Sequence, residues 1–355
     1  SNYQGNNFNN QRHKESNGRG VKMKERKTRV NRNKVKIGLD TCEFEMALTG
    51  RNMKDLQEMP LINAQGRQYG SVEASKGKAT IKLNLPRFVR DNNIHPYSLT
   101  ESICIEIIRN DCEAQLKQIF GNNMNTQVTK IEVNITQPVS GNATQADVLN
   151  LLSHATLPYA SKDNVKYVGP SKKCYLKEEN HTVNVSRRHY YYLKFYDKSQ
   201  EIIDKRRKFN LPIDDVPRDL LRMEIVFVER TLDKLFKSKK TLSDVLTQKN
   251  LIEIIREYKR VFCDELVDGM IKPYLDACVL KLVESLTDTE NPIKTIAKER
   301  ELIPDCVVLQ RALKRYMKIR GKTNNAARDT KRYAEQYDLP VDCIMTIHDF
   351  KLACG

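Results

Sequence analysis

The chain has 355 residues, with 61 Lys and Arg against 45 Asp and Glu and a net charge of +16. A hydrophobic share of 39% is enough for real cores, and this length suggests two domains or three. The charge points to an anionic partner, nucleic acid first and an acidic membrane surface second.

No stretch of about 18 apolar residues occurs, so a spanning helix is excluded and no membrane partner is expected. The N-terminus lacks an apolar signal core, so a cytoplasmic protein is expected. The nine Cys are scattered and form no CxxC pair. They read as reduced, buried thiols rather than a disulfide framework or a zinc site.

Residues 1–34 are rich in Asn, Lys and Arg and almost free of large apolar groups. They read as a disordered segment, equally an inert tail or a basic arm, and as an arm it would add salt-sensitive affinity for nucleic acid. A first strand, 35–48, turns Val35, Ile37 and Leu39 inward and Gly38 and Asp40 outward. Its alternation shifts near Thr41, which predicts a β-bulge. Residues 68–85 read as a hairpin turning at 75–78. A helix is expected over 100–120, with Ile103, Ile107, Leu116 and Ile119 as its stripe and Thr100 as its cap.

The next strand, 130–135, buries three β-branched residues and presents Glu132 and Asn134. A short helix at 146–152 and two short strands, 166–168 and 183–185, come next. The segment 190–198 is the most telling. Tyr191, Leu193 and Phe195 fall on one face, and Tyr190, Tyr192, Lys194, Tyr196 and Lys198 on the other. A polar, basic helix is expected over 199–208, and Pro212 and Pro217 break the chain after it. The strand 221–227 then buries Leu221, Met223, Ile225 and Phe227 and presents Arg222 and Glu224.

Beyond Arg230 strand signals vanish. Helices are expected at 232–236, 250–268, 269–286 and 307–320, with a domain boundary near 236. The helix 311–320 carries Arg311, Lys314 and Arg315, and a second at 324–337 carries Arg328, Lys331 and Arg332. Two basic helices joined by a Gly-containing turn fit a helix-turn-helix unit, with these six cations as nucleic-acid contacts.

If the four alternating strands share a sheet, one polar face gathers Asp40, Glu132, Glu224, Tyr196, Lys198 and Arg222. Three carboxylates suit Mg²⁺ or Mn²⁺, which favour oxygen donors. A phenol beside them is a candidate nucleophile, with Lys198 and Arg222 favouring its phenolate and Lys194 near a bound phosphate. Tyr192 lies roughly 13 Å from Tyr196 along the strand, too far for one ion to serve both.

The segment Tyr196-Asp197-Lys198-Ser199-Gln200-Glu201 resembles the tyrosine motif of rolling-circle replication initiators, the Rep_trans plasmid initiators and the filamentous-phage gene II proteins among them. Leu221-Arg222-Met223-Glu224-Ile225 is similar to their Arg-hydrophobe-Glu strand. Val128-Thr129-Lys130-Ile131-Glu132-Val133 is similar to their Arg-Ile-Asp strand, with Glu in place of the usual Asp, and Leu39-Asp40 resembles their early Ile-Asp strand. The resemblance implies an origin-specific DNA-nicking endonuclease of plasmid or phage type. Attack by Tyr196 would give a 5′-phosphotyrosine link and a free 3′-hydroxyl, and the reverse transfer would rejoin the strand. It implies origin DNA as partner, single-stranded, hairpin or duplex, together with a host helicase, and it allows a homodimer.

The expected architecture is α+β: a basic arm (1–34), a catalytic domain with an antiparallel-rich sheet (35–235), and an all-α DNA-binding domain (236–355). The rival functions are a non-enzymatic single-strand-binding module with a tyrosine stacking platform, and a sequence-specific regulator acting through the C-terminal helices.

Overall fold

The computed structural model describes residues 37–48, 58–156, 165–166, 182–187 and 189–354, apart from 76, 91, 93, 95, 99–104, 123, 238, 239 and 290. The proposed basic arm, Thr100, Ile103, Cys104 and Cys174 lie outside the described residues.

Ten strands form one sheet: β1 (Ile37–Ala47), β2 (Met59–Ile62), β3 (Gln68–Ser75), β4 (Lys78–Asn84), β5 (Tyr97–Ser98), β6 (Thr126–Pro138), β7 (Val165–Lys166), β8 (Thr182–Arg187), β9 (Tyr191–Asp197) and β10 (Leu220–Val228). Their order is β2-β3-β4-β1-β6-β10-β9-β8-β7, with β5 pairing a second stretch of β1, and each pairing is antiparallel. The expected α+β class is therefore found. The hairpin β3–β4 turns at Gly77, whose φ of 79° is open to glycine without strain.

The helices are α1 (Leu85–Val89), α2 (Ile105–Phe120), α3 (Gln145–Thr156), α4 (Lys198–Lys208), α5 (Glu229–Phe236), α6 (Leu242–Val245), α7 (Gln248–Arg260), α8 (Lys272–Thr287), α9 (Pro292–Lys298), α10 (Cys306–Ile319), α11 (Ala326–Tyr337) and α12 (Cys343–Ala353). Three details differ from expectation. The buried stripe of α2 is Ile105, Ile108, Cys112 and Leu116, while Ile107 is exposed, because tertiary packing chose an adjoining face of the same helix. Gly269 starts no helix: a π-helical stretch, Val261–Ile271, joins α7 to α8 without leaving helical geometry. Pro273 has no N–H to donate four residues back, and widening of the preceding turns absorbs that defect. The last helix, α12, carried no signal singled out in the sequence.

The sheet has one apolar and one polar face. Leu193, Phe195, Met223, Ile225, Ile131, Val133 and Ile135 line the first and are fully or almost fully buried. Helices cover it. The Tyr258 hydroxyl donates to the Met223 carbonyl at 2.9 Å, and Tyr258 stacks parallel to Phe262 at 6.0 Å. Both residues belong to the helical part, so the core runs unbroken across residue 236. The C-terminus is also tied to the sheet. Thr346 Oγ1 and Asp342 Oδ2 accept from the Ser140 and Asn142 backbone amides just beyond β6, at 2.9 and 2.8 Å. The change of character near 236 marks a change of secondary structure within one continuous core.

Gly38 is where β5 crosses closest to β1. A Cβ there would lie 1.9 Å from the Tyr97 carbonyl oxygen, a backbone atom that cannot turn aside. Gly38→Ala should therefore cost about 3 kcal/mol, at the upper end of overpacking penalties. A urea-denaturation midpoint equal to the parent's would contradict this close approach.

Candidate active site

The polar face is built by register. Leu39 pairs with Val133 and Cys42 with Ile131, so Asp40 and Thr41 together oppose Glu132. Two residues against one is a β-bulge, where the sequence placed a shift. It brings the Asp40 and Glu132 carboxylates together. On the other side of β6, Glu224 pairs with Asn134 and Arg222 with Thr136. On β9, Tyr196 lies opposite Arg222, and Lys194 opposite Glu224.

Asp40, Glu132 and Glu224 are all buried, and each has a carboxylate oxygen within 4.8 Å of the others'. The Tyr196 hydroxyl donates to Glu224 Oε2 at 3.4 Å, and the Arg222 guanidinium lies 3.4 Å from the same phenol oxygen. Tyr192 is opposite Val226, which in turn is opposite Glu132, and is 39% exposed. The hydrogen bond to Glu224, more than the register, distinguishes Tyr196.

Three cations sit differently from expectation. Lys194 is no free phosphate contact: its ammonium bridges Glu224 at 2.7 Å and Glu132 at 3.3 Å. Lys130, which the sequence had not singled out, adds a 2.7 Å pair to Glu132. Arg222 is fully buried and donates to Asp40, Thr136 Oγ1 and the Ile94 carbonyl, each at 2.8 Å. It also reaches the Tyr196 hydroxyl oxygen, at 3.4 Å. Its Asp40 contact is structural, because removing one partner of a buried pair costs about 3–5 kcal/mol. Lys198 lies not on the strand but at the first position of α4, because Asp197 ends β9 by accepting the Gln200 amide as N-cap. Lys198 is buried there, ion-paired to Glu201 and 5.9 Å from the centre of the Tyr196 ring.

Two polar neighbours were legible only as outward-facing alternation. Asn134 is fully buried and donates to Asp40 Oδ2 at 3.3 Å, and Thr136 donates to Asn134. Glu201 is the other residue that sequence reasoning missed as part of the site. It lies one helical turn beyond Lys198 and faces it.

Burial raises the Asp40 carboxyl above its usual range despite Arg222, and burial together with Glu132 raises Glu224 against the pull of Lys194. Burial would raise Glu132 too, but Lys194 and Lys130 outweigh it and hold it low. Burial holds the Tyr196 phenol well above its ordinary value; Arg222 opposes this, and the carboxylates reinforce it. The cations therefore do not favour the phenolate on balance, as the sequence had suggested. A divalent cation would offset the burial that raises Asp40 and Glu224, and three oxygen donors fit Mg²⁺ or Mn²⁺.

Burial and Arg222 push Lys198 down to about 8, against the pull of Glu201. A free lysine titrates near 10.4. The unfolded chain binds more protons between those values, so Lys198 makes stability rise with pH from about 8 to about 10.4. Glu201 runs the other way. Burial alone would raise it, but Lys198 and Lys205 bring it down to about 2, so its contribution is present above about 4.3 and lost as pH falls through about 2. Lys198→Met should flatten the alkaline slope in urea titrations at several pH values. An unchanged slope would mean that Lys198 is not desolvated.

Of the six C-terminal cations, Arg311, Lys314 and Arg328 line one cleft of about 540 Å³ between α10 and the start of α11, together with Asn324 and Asn325. Arg311 is also paired with Asp276 at 2.5 Å. Arg315, Lys331 and Arg332 are exposed and are not part of that lining. The connection 320–325 is longer than the roughly 3–4-residue turn of a helix-turn-helix.

Among the described residues no other group of acids, His or Cys has metal-ligand spacing, the described cysteines are all free, and no helix is long and apolar enough to cross a membrane. Comparison of the chain with protein-family models, with curated proteins and with solved structures finds no match.

Proposed function

We propose that this protein is a strand-nicking transferase of the replication-initiator kind, with Tyr196 as nucleophile. The observation that carries the reading is the Tyr196 hydroxyl beside Glu224, itself one of three clustered buried carboxylates. Glu224 accepts the phenol proton, and Arg222 lies close enough to steady the oxygen as it becomes anionic. The phenol oxygen forms a bond to phosphorus, the bond to the 3′-oxygen breaks, and a proton completes the 3′-hydroxyl. Asp40, Glu132 and Glu224 would hold a Mg²⁺ or Mn²⁺ ion, which when bound supplies positive charge to the phosphorus oxygens. Lys194, shared between Glu132 and Glu224, offsets part of the negative charge of these two carboxylates.

Origin DNA is the proposed substrate. The cleft of Arg311, Lys314 and Arg328 is a candidate duplex contact, and the net charge of +16 favours phosphate in general. A host helicase and a homodimer belong to the proposal through the sequence resemblance alone. A second reading, a single-strand-binding module without chemistry, draws on the exposed Tyr190 and Tyr192. Incubation with supercoiled plasmid and labelled single strands, in Mg²⁺, Mn²⁺ or EDTA, separates the two. Nicked circles and a protein–DNA adduct that forms only with the metal are expected. Tight binding with no adduct under any metal condition would leave the binding module.

A further inference from the structure

The tip beyond α4 is unused by the site. The last turn of α4 holds Lys205, Arg206, Arg207 and Lys208. Basic residues at a helix C-terminus complement the helix dipole and by themselves need no ligand. The apolar side chains just past them have no such explanation. Phe209 is 66% exposed, more than any other large apolar side chain among the described residues, and Leu211 beside it is 55% exposed.

The tip is also ordered. The Arg206 carbonyl accepts both the Phe209 and the Leu211 amides, at 3.1 and 2.9 Å. The Arg206 guanidinium closes the loop onto the Pro212 carbonyl at 2.8 Å and onto Asp215. At the other end of α4, the Ser199 hydroxyl donates to the Pro217 carbonyl at 2.7 Å and accepts the Leu220 amide at 2.9 Å, which anchors the helix to β10. Lys205 pairs with Glu201 and Arg206 with Asp215, whereas Arg207 and Lys208 are exposed and make no ion pair among the described residues. An exposed ring with cations beside it, on a rigid mount, is how sequence-tolerant single-strand sites are built.

We propose that this tip clamps single-stranded DNA, with Phe209 stacking on an unpaired base and Arg207 and Lys208 holding the neighbouring phosphates. The inference rests on the proposed function for which strand is held: the one that Tyr196 cuts, since α4 begins two residues after Tyr196. The eleven residues of α4 span about 16 Å at 1.5 Å each, the length of about five stacked nucleotides at 3.4 Å.

The test uses the full chain, a 2-aminopurine-labelled 20-nucleotide single strand of mixed sequence, and the blunt duplex of the same sequence. Phe209→Ala should weaken single-strand binding by about 5- to 150-fold and abolish the 2-aminopurine quench, with duplex binding unchanged. Phe209→Trp should restore both. Arg207→Gln with Lys208→Gln should lower the single-strand salt slope by about 1.4. Unchanged single-strand affinity in Phe209→Ala, or equal loss on strand and duplex, overturns the clamp. The two proposals fail separately. A parent that shows Phe209-dependent binding but forms no adduct loses the nicking reading alone. A parent that forms the adduct while Phe209→Ala binds the strand as the parent does loses the clamp alone.

Discussion

Tyr196→Phe should abolish the covalent protein–DNA adduct while leaving the fold and strand binding in place. The substitution removes one oxygen and keeps the ring that packs between Arg222 and Lys198. The hydroxyl's hydrogen bonds, to Glu224 and Arg222, are both long at 3.4 Å, so little structural energy goes with it. Loss of an enzyme's nucleophile costs on the order of 10⁶-fold in rate, which puts the adduct below detection. The comparison that decides it is Tyr192→Phe. Tyr192 shares the polar face but sits opposite Val226 with its ring exposed, and its loss should leave the adduct intact. Adduct formation in Tyr196→Phe together with its loss in Tyr192→Phe would overturn the assignment. Unchanged thermal melting of Tyr196→Phe is the accompanying control.

The second large effect is expected at Glu224. Glu224→Gln keeps the shape of the side chain and removes a charge that touches both Lys194 and Tyr196. Outer-shell partners alone change metal affinity by about 10- to 100-fold, so loss of a ligand should exceed that range. Calorimetric titration with Mn²⁺ should show a weaker site, and nicking should fall at least as far. Metal should also raise the melting temperature of the parent more than that of the variant, by mass action on the folded state. Glu224 is the better test than Asp40, because both Asp40 oxygens are engaged by Arg222, Asn134 and Asn84. An Asp40 variant would leave the buried Arg222 without its partner and confuse folding with chemistry. Equal Mn²⁺ affinity in parent and Glu224→Gln, or full nicking in EDTA, would take the metal out of the mechanism.

The sequence by itself determined which side chains share a face. Side-chain period along a strand is two, so Asp40, Glu132, Lys194, Tyr196, Arg222 and Glu224 had to lie opposite the apolar residues once their strands formed. The shift near Thr41 was visible for the same reason, as a break in that period. The helical character beyond residue 230 followed from apolar spacing and the loss of β-branched alternation.

Only the tertiary structure decided what those side chains do to one another. Register pairs Tyr196 with Arg222 and leaves Tyr192 opposite Val226, and no local pattern distinguishes the two tyrosines. Asp40 and Arg222 meet across 182 positions, and their burial together makes an internal ion pair of a cation expected only to favour the phenolate. Lys194 was read as facing a phosphate and instead bridges two carboxylates, because Glu132 and Glu224 arrive from separate strands on the same side of it. The continuity of the core past residue 236 was hidden for the same reason. Helical periodicity shows that a helix has an apolar face, but which surface buries that face is set by contacts distant in sequence, here the Tyr258 hydroxyl on the carbonyl of Met223.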